Sequence, residues 1–373
     1  MTNRQRAMAV LNYESYDALP VVHFGFWDET VEKWETEGHI DHQTAQDVYD
    51  GSENQTKIAS MLGFDFGWGT CFCPNMDIMP QFTREVVEQR PDGTRVVRNG
   101  YGVLELEKPG VVSIPAEVGH TLVDRASWEK EFLPRLQYSE TRIDRDALAA
   151  VPPPEERNVP VGLGGMSLFG RIRDWMGVEG ISYLYADDEE LYKEIIDTFA
   201  DLQYRCLETV LASGTVFDYA HFWEDICFKN GPLVVPAVFD ELVGPHYKRI
   251  TDLCRAHGIT LVSLDCDGWI DALIPTWLHN GVNTMFPIEV GTWNASIAPW
   301  REKYGREIRG VGGMNKTVFA RDYAAVDAEV ERLRPLVELG GYLPCPDHRI
   351  APDAKWENVQ YYCEKMHKVF GLE

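Results

Sequence analysis

Residues 245–268 read PHYKRITDLCRAHGITLVSLDCDG, and this stretch carries the grammar of the whole chain. After Pro245, the apolar Tyr247, Ile250 and Leu253 step by three, which places them on one face of a helix. Gly258 closes that helix, because a residue without Cβ takes the left-handed conformation at little cost and turns the chain back. Ile259 to Leu264 follows as a short strand and ends on Asp265-Cys266-Asp267-Gly268. The unit is therefore helix, glycine, strand and a polar tip.

The same unit recurs on both sides. Asp187 to Leu211 is predicted as a helix, with Asp187 and Glu190 at capping-box spacing and a stripe of Leu191, Ile195, Phe199, Leu202 and Cys206 that stops near Gly214. Two further stripes are Val326, Val330, Leu333 and Val337, and Val359, Tyr362, Met366 and Phe370, while Gly281 and Gly340 close helices as Gly258 does. The candidate strands are Pro20–Phe26, Phe64–Thr70, Val159–Gly164, Phe217–Phe222, Ile259–Leu264, Val282–Pro287, Arg309–Gly313 and Tyr342–Pro344. Eight strands with helical crossovers suit an α/β fold of the (β/α)8 TIM-barrel type over residues 1–373, with an open doubly wound sheet as the alternative.

One segment departs from the alternation. Residues 73–158 hold three strand-like runs, Arg84–Val87, Arg95–Arg98 and Val103–Leu106, separated by the turn dipeptides Asp92-Gly93 and Asn99-Gly100. A helix near Trp128–Leu136 and the rigid Pro152-Pro153-Pro154 complete the segment. It reads as a small antiparallel insertion after the second strand, and in a barrel such an insertion lies over the mouth as a lid.

Composition narrows the function. A net charge of −24 with 45% hydrophobic residues describes a folded protein, and it argues against nucleic acid, an anionic membrane or a polyanionic small molecule as the main partner. The N-terminus has no apolar core of signal-peptide length and no run approaches a membrane span, so a cytoplasmic protein is expected. Eight scattered cysteines read as reduced packing thiols, and Cys71-Phe72-Cys73 lacks a second pair to complete a structural zinc site.

In a barrel the chemistry lies at the C-terminal ends of the strands. There the sequence places His221, Trp223 and Glu224, then Asp265 and Asp267, Glu289, Asn315 and Lys316, and finally Asp347-His348. Imidazoles and carboxylates converging on one mouth are what acid–base or metal chemistry needs. Asp265 before Gly268 suits a helix-capping turn equally well, and His23 is either a mouth residue or a satisfied core histidine.

The stretches Met1–Arg6 and Asp17–Val21, Glu224-Asp225 with Lys229–Pro232, Asp265–Gly268, Gly312–Lys316 and Gly340–His348 resemble the uroporphyrinogen decarboxylase superfamily over nearly the whole chain. That resemblance implies the barrel and one of two chemistries. These are cofactor-independent decarboxylation, and transfer of a methyl group between a small donor and the cobalt of a corrinoid (cobalamin) carried by a partner protein. Where the decarboxylases carry arginines after the first strand, this chain has His23-Phe24-Gly25-Phe26-Trp27-Asp28-Glu29, which cannot compensate a poly-acid. In the methyltransferases the zinc ligands are His-x-Cys and a later Cys; the matching places here are Asp265-x-Asp267 and His348, a harder set suited to oxygen.

The resemblance thus points to an O-demethylating methyltransferase that takes its methyl group from an aryl methyl ether. His348, Asp267, Glu224 and His221 are its candidate catalytic residues, and His23, Phe26, Trp27, Trp68, Trp223 and Asn315 its candidate substrate contacts. Either His348 or Asp267 is the acid, or His221, Glu224, Asp265 and His348 hold Zn²⁺. A decarboxylase acting on another carboxylated substrate and a non-catalytic ligand-binding barrel are the alternatives.

Overall fold

The computed structural model describes residues 1–108 and 116–371. All eight expected strands form, most of them shortened at their N-terminal ends. Tyr342–Pro346, Arg309–Met314, Thr284–Ile288, Val262–Asp265, Tyr219–Trp223, Gly162–Gly164 and Cys71–Phe72 lie side by side in that order as one parallel sheet. Val22–His23 and Phe66–Gly67 form a separate parallel pair.

Cys71–Phe72 is a strand that the sequence reading did not separate. The expected Phe64–Thr70 run breaks near Gly69, whose φ of +94° bends the chain. Residues 66–67 thus pair with the first strand, and residues 71–72 pair with Gly162–Gly164. On the other side a parallel bridge joins Phe26 to Ile350, reinforced by Trp27 N–H to Ile350 O (3.2 Å) and Ile350 N–H to Gly25 O (3.0 Å). The arrangement is a mixed α/β fold with a seven-stranded parallel sheet, compatible with a TIM-type barrel.

The crossover helices include Glu189–Leu211, Gly244–Ala256, Tyr323–Glu338 and Trp356–Phe370, each burying the predicted apolar stripe apart from the partly exposed Leu253 and Phe370. Gly258, Gly281 and Gly340 all have positive φ, as the exits require. Asp188, not Asp187, caps the long helix, accepting from Leu191 N–H at 2.9 Å. Asp187 instead ends a preceding helix, Gly170–Asp187, which is broken at Gly177.

The insertion is a four-stranded antiparallel sheet of Glu85–Gln89, Arg95–Arg98, Val103–Glu107 and Ala116–His120. Its second turn takes the left-handed conformation at Gly102 instead of Gly100, with Asn99 Oδ1 accepting from Tyr101 and Val103 N–H. The helix expected near Trp128–Leu136 is one wide π turn followed by one tight 3-10 turn. Arg142 clamps the insertion from inside. Its buried guanidinium donates to the carbonyls of Gln137, Asn75, Asp77 and Arg135 at 2.6–3.0 Å. No helix among the described residues is long and apolar enough to cross a membrane.

Candidate active site

The tips of the last five parallel strands bring one imidazole and one carboxylate together. His348 Nε2 lies 3.3 Å from Asp267 Oδ2, and both side chains are partly exposed. Trp27 stacks on the His348 ring (centroids 5.3 Å apart, planes 18° apart), and Phe24 lies tilted against it at 5.4 Å. The His348 Nδ1 is buried and has no partner among the described residues.

Neighbouring residues hold the pair in place. Asp347 is buried and accepts from Val290 N–H (2.9 Å), Gly291 N–H (2.7 Å) and Lys316 N–H (3.1 Å), tying three strand tips together. On the other side Gly268 donates its N–H to Glu289 (2.5 Å) at a φ of +86°. A Cβ there would stand 2.6 Å from Cys227 O, so the turn after Asp267 needs glycine.

The remaining acids are strongly perturbed. Burial pushes the Asp265 carboxyl well above the ordinary range, and Asp225 and Asp267 raise it further while Arg349 opposes. Burial and Asp267 push Asp225 up to about 6, and burial raises Glu289. The mouth therefore carries carboxyls that hold protons more tightly than free ones. Burial drives His221 down to about 4 and leaves its Nδ1 without a partner. Its ring meets Phe286 edge-on at 5.7 Å, and it makes no ion pair among the described residues.

Glu224 is a correction. It is fully buried and accepts from Ser167 Oγ (2.8 Å) and from the N–H groups of Leu168 (2.9 Å), Phe169 (3.1 Å) and Gly170 (2.7 Å), as well as from the Tyr247 hydroxyl. Its oxygens satisfy the orphan donors at the start of helix Gly170–Asp187, which makes it a structural cap and not a mouth residue. The zinc set falls with it. Among the described residues no group of three or more His, Cys, Asp or Glu side chains is placed to hold an ion, so His221, Glu224, Asp265 and His348 do not fit the metal.

The expected substrate contacts divide. Trp27 stands at the pair. Trp223 lies at the mouth beneath Arg171, whose guanidinium also covers Tyr101 of the insertion and pairs with Asp77 at 3.0 Å. Trp68 is buried, stacked on Tyr219 at 4.4 Å and donating to Ser263 Oγ. His23 is a core histidine: it is buried, held near a pKa of 4 by desolvation, packed on Phe26 and Phe64, and accepts from Gly25 N–H through Nδ1. Phe26 packs on Trp34. Asn315 caps a short turn, its Oδ1 accepting from Thr317 N–H (3.1 Å) and Thr317 Oγ1 (2.7 Å).

Arg349 and Asp50, which the sequence did not single out, also meet here. Arg349 forms a two-pronged ion pair with Asp50 (2.8 and 2.5 Å) and lies over Phe24 at 5.3 Å. The Lys316 Nζ donates to the Arg349 carbonyl at 2.9 Å. Asp50 is 299 residues from its partner, and no local pattern marks it.

Fold and mouth together define a parallel α/β protein of TIM-barrel character whose strand tips present an acid–imidazole pair under aromatic faces. Among solved structures, the chain is similar to a methyltransferase from Methanosarcina mazei, with 15% identity, 99% of each chain covered and a TM-score of 0.62. At that identity the likeness is one of fold. A Listeria monocytogenes protein named for vitamin-B12-independent methionine synthase matches with 12% identity over 95% of this chain and 98% of its own, at a TM-score of 0.43, too low to bear on either fold or function. No protein-family model matches the chain, and no curated protein matches it.

Proposed function

We propose that this protein is a methyltransferase that moves a methyl group from a small methylated donor, an aryl methyl ether, to the cobalt of a corrinoid held by a separate corrinoid-binding protein. The observation that carries the reading is the His348–Asp267 pair: Nε2 lies 3.3 Å from Asp267 Oδ2, and Trp27 and Phe24 flank the ring.

Breaking an aryl O–CH3 bond by attack on the methyl carbon leaves the bonding electron pair on oxygen as a phenolate. That charge must be neutralised as it develops. Asp267 lies 3.3 Å from Nε2 and orients the ring, and the protonated imidazole of His348 delivers its proton to the departing oxygen. The corrinoid, when its carrier presents it at the mouth, supplies the nucleophile that accepts the methyl group. Trp27 and Phe24 offer the flat apolar faces that an aromatic donor needs, and the insertion, 73–158, acts as a partial lid through the Tyr101–Arg171–Trp223 contact. No step is assigned to zinc.

Decarboxylation of a poly-acid has less support. Arg349 is already paired with Asp50, and Lys316 donates to a backbone carbonyl. His348→Ala tests the proposal: kcat should fall roughly 10²-fold while donor affinity changes little, because the lost interaction belongs to the transition state. Equal losses in kcat and affinity would assign His348 to binding only.

A further inference from the structure

On the face opposite the mouth, where strand Arg309–Met314 begins, three arginines gather around one aromatic ring. The guanidinium carbons of Arg301, Arg306 and Arg309 stand 4.8, 5.1 and 5.4 Å from the centre of the Tyr13 ring. They come from helix Ile297–Tyr304, the tight turn Gly305–Glu307 and the first residue of the strand, one short stretch of chain. Tyr13 is fixed in place: its φ is +61°, its hydroxyl donates to Ile308 O at 2.8 Å, and a Cβ on Gly341 would stand 2.4 Å from its Cζ.

What the cluster lacks is a counter-charge. Elsewhere in this acidic chain Arg4, Arg125, Arg249 and Arg349 each meet a carboxylate at 2.5–2.8 Å. The three around Tyr13 make no ion pair among the described residues. Burial lowers both the Arg301 and the Arg309 guanidinium from their ordinary values, and on Arg301 the charges of Arg309 and Arg306 add to it. Two of the forks are anchored on carbonyls, Arg301 on Leu339 and Ile308 (2.9 and 3.0 Å) and Arg309 on Leu11 and Glu307 (2.7 and 3.2 Å). Those bonds orient the guanidiniums without neutralising them. Arg306 is exposed, and its guanidinium has no hydrogen-bond partner among the described residues.

The geometry points to an anion-binding site on this face, one that takes the phosphoryl group of a small molecule. Charge sets the class: three unpaired guanidiniums call for about two negative charges on one group, which phosphate carries near pH 7 and a carboxylate does not. The planar fork of arginine donors also matches a pair of phosphate oxygens. Size follows from the rest of the chain, because a net charge of −24 repels a long polyanion such as nucleic acid and leaves a compact phosphate or phosphate monoester as the ligand. This site is independent of the reading of the mouth.

Isothermal titration calorimetry on the full chain tests the assignment, with inorganic phosphate, glycerol phosphate and acetate as probes at matched ionic strength. At least one of the two phosphates should bind saturably, and acetate should bind roughly tenfold more weakly or not at all. Arg306→Met should weaken phosphate binding about tenfold and Arg306→Glu should abolish it, and both variants should fold because the side chain is exposed. His348→Ala should change nothing, which separates this site from the mouth. Tighter binding of the ester assigns a phosphorylated molecule as the ligand, and tighter binding of the free ion assigns phosphate itself. Absence of saturable binding, binding that survives Arg306→Glu, or acetate bound as tightly as phosphate would overturn the site.

Discussion

Replacing Glu224 by Gln changes only one oxygen to an amide nitrogen, yet it should destabilise the fold by about 2–4 kcal/mol. Every partner of this carboxylate donates: Ser167, Phe169 and Gly170 to Oε2, and Leu168 and Tyr247 to Oε1. With the amide oxygen kept at the Oε2 position, the new NH2 faces the Leu168 N–H and the Tyr247 hydroxyl. The tyrosine can rotate its proton away and accept, but the backbone N–H cannot. One buried donor is then orphaned, at about 1–3 kcal/mol, and a donor–donor contact is added. The opposite flip is worse, since it orphans two N–H groups and confronts Ser167 as well. Glu224→Ala leaves all five donors without a carboxylate and should cost about 5 kcal/mol or more. Urea unfolding followed by circular dichroism measures both variants. A Glu224→Gln protein with unchanged midpoint and lost activity would refute the capping argument and return Glu224 to the chemistry.

Three further outcomes are expected. Arg142→Ala leaves a cavity where the buried guanidinium was and removes the donor to four carbonyls, and should cost about 3–5 kcal/mol, seen first as rapid proteolysis within residues 73–158. Asp225, raised to about 6, carries an ionisation penalty in the folded state that is present above that pH and vanishes below the unfolded value. Asp225→Asn should therefore melt above the wild type at pH 8, by the equivalent of about 1–3 kcal/mol, with the gap closing towards pH 4; a gap that does not depend on pH would contradict the burial argument. Gly268→Ala, with φ of +86° and a Cβ placed 2.6 Å from Cys227 O, should displace Asp267 and lower activity more than Tm, as measured by parallel kinetics and calorimetry.

The backbone plan was legible where local physics decides it. Gly258, Gly281 and Gly340 turn helices back towards the sheet because only glycine does so cheaply, and the apolar runs after them had little choice but to be strands. The boundary between Phe66–Gly67 and Cys71–Phe72 was hidden because it depends on which neighbour each half pairs with, which is a tertiary fact. Ala116–His120 reads Ala-Glu-Val-Gly-His, with no apolar run to announce a strand. At the mouth, strand-end position located His348 and Asp267, but position alone could not tell an open carboxylate from a committed one. Glu224 stands at a strand tip like Asp267, yet its partners at Ser167 to Gly170 lie more than fifty residues earlier. His23 faces the same difficulty, because its fate is decided by Phe26 and Phe64 packing on its ring.

Methyl transfer itself is the claim to test most directly. The purified protein, a reduced corrinoid protein from the same organism and a panel of methoxylated aromatic compounds are mixed, and the cobalt absorption is followed. The proposal predicts that at least one aryl methyl ether converts the reduced corrinoid to its methylated form with release of one phenol per methyl group, and that His348→Ala slows this roughly 10²-fold. No change in the cobalt spectrum with any donor, together with release of CO2 from a carboxylated substrate, would contradict it.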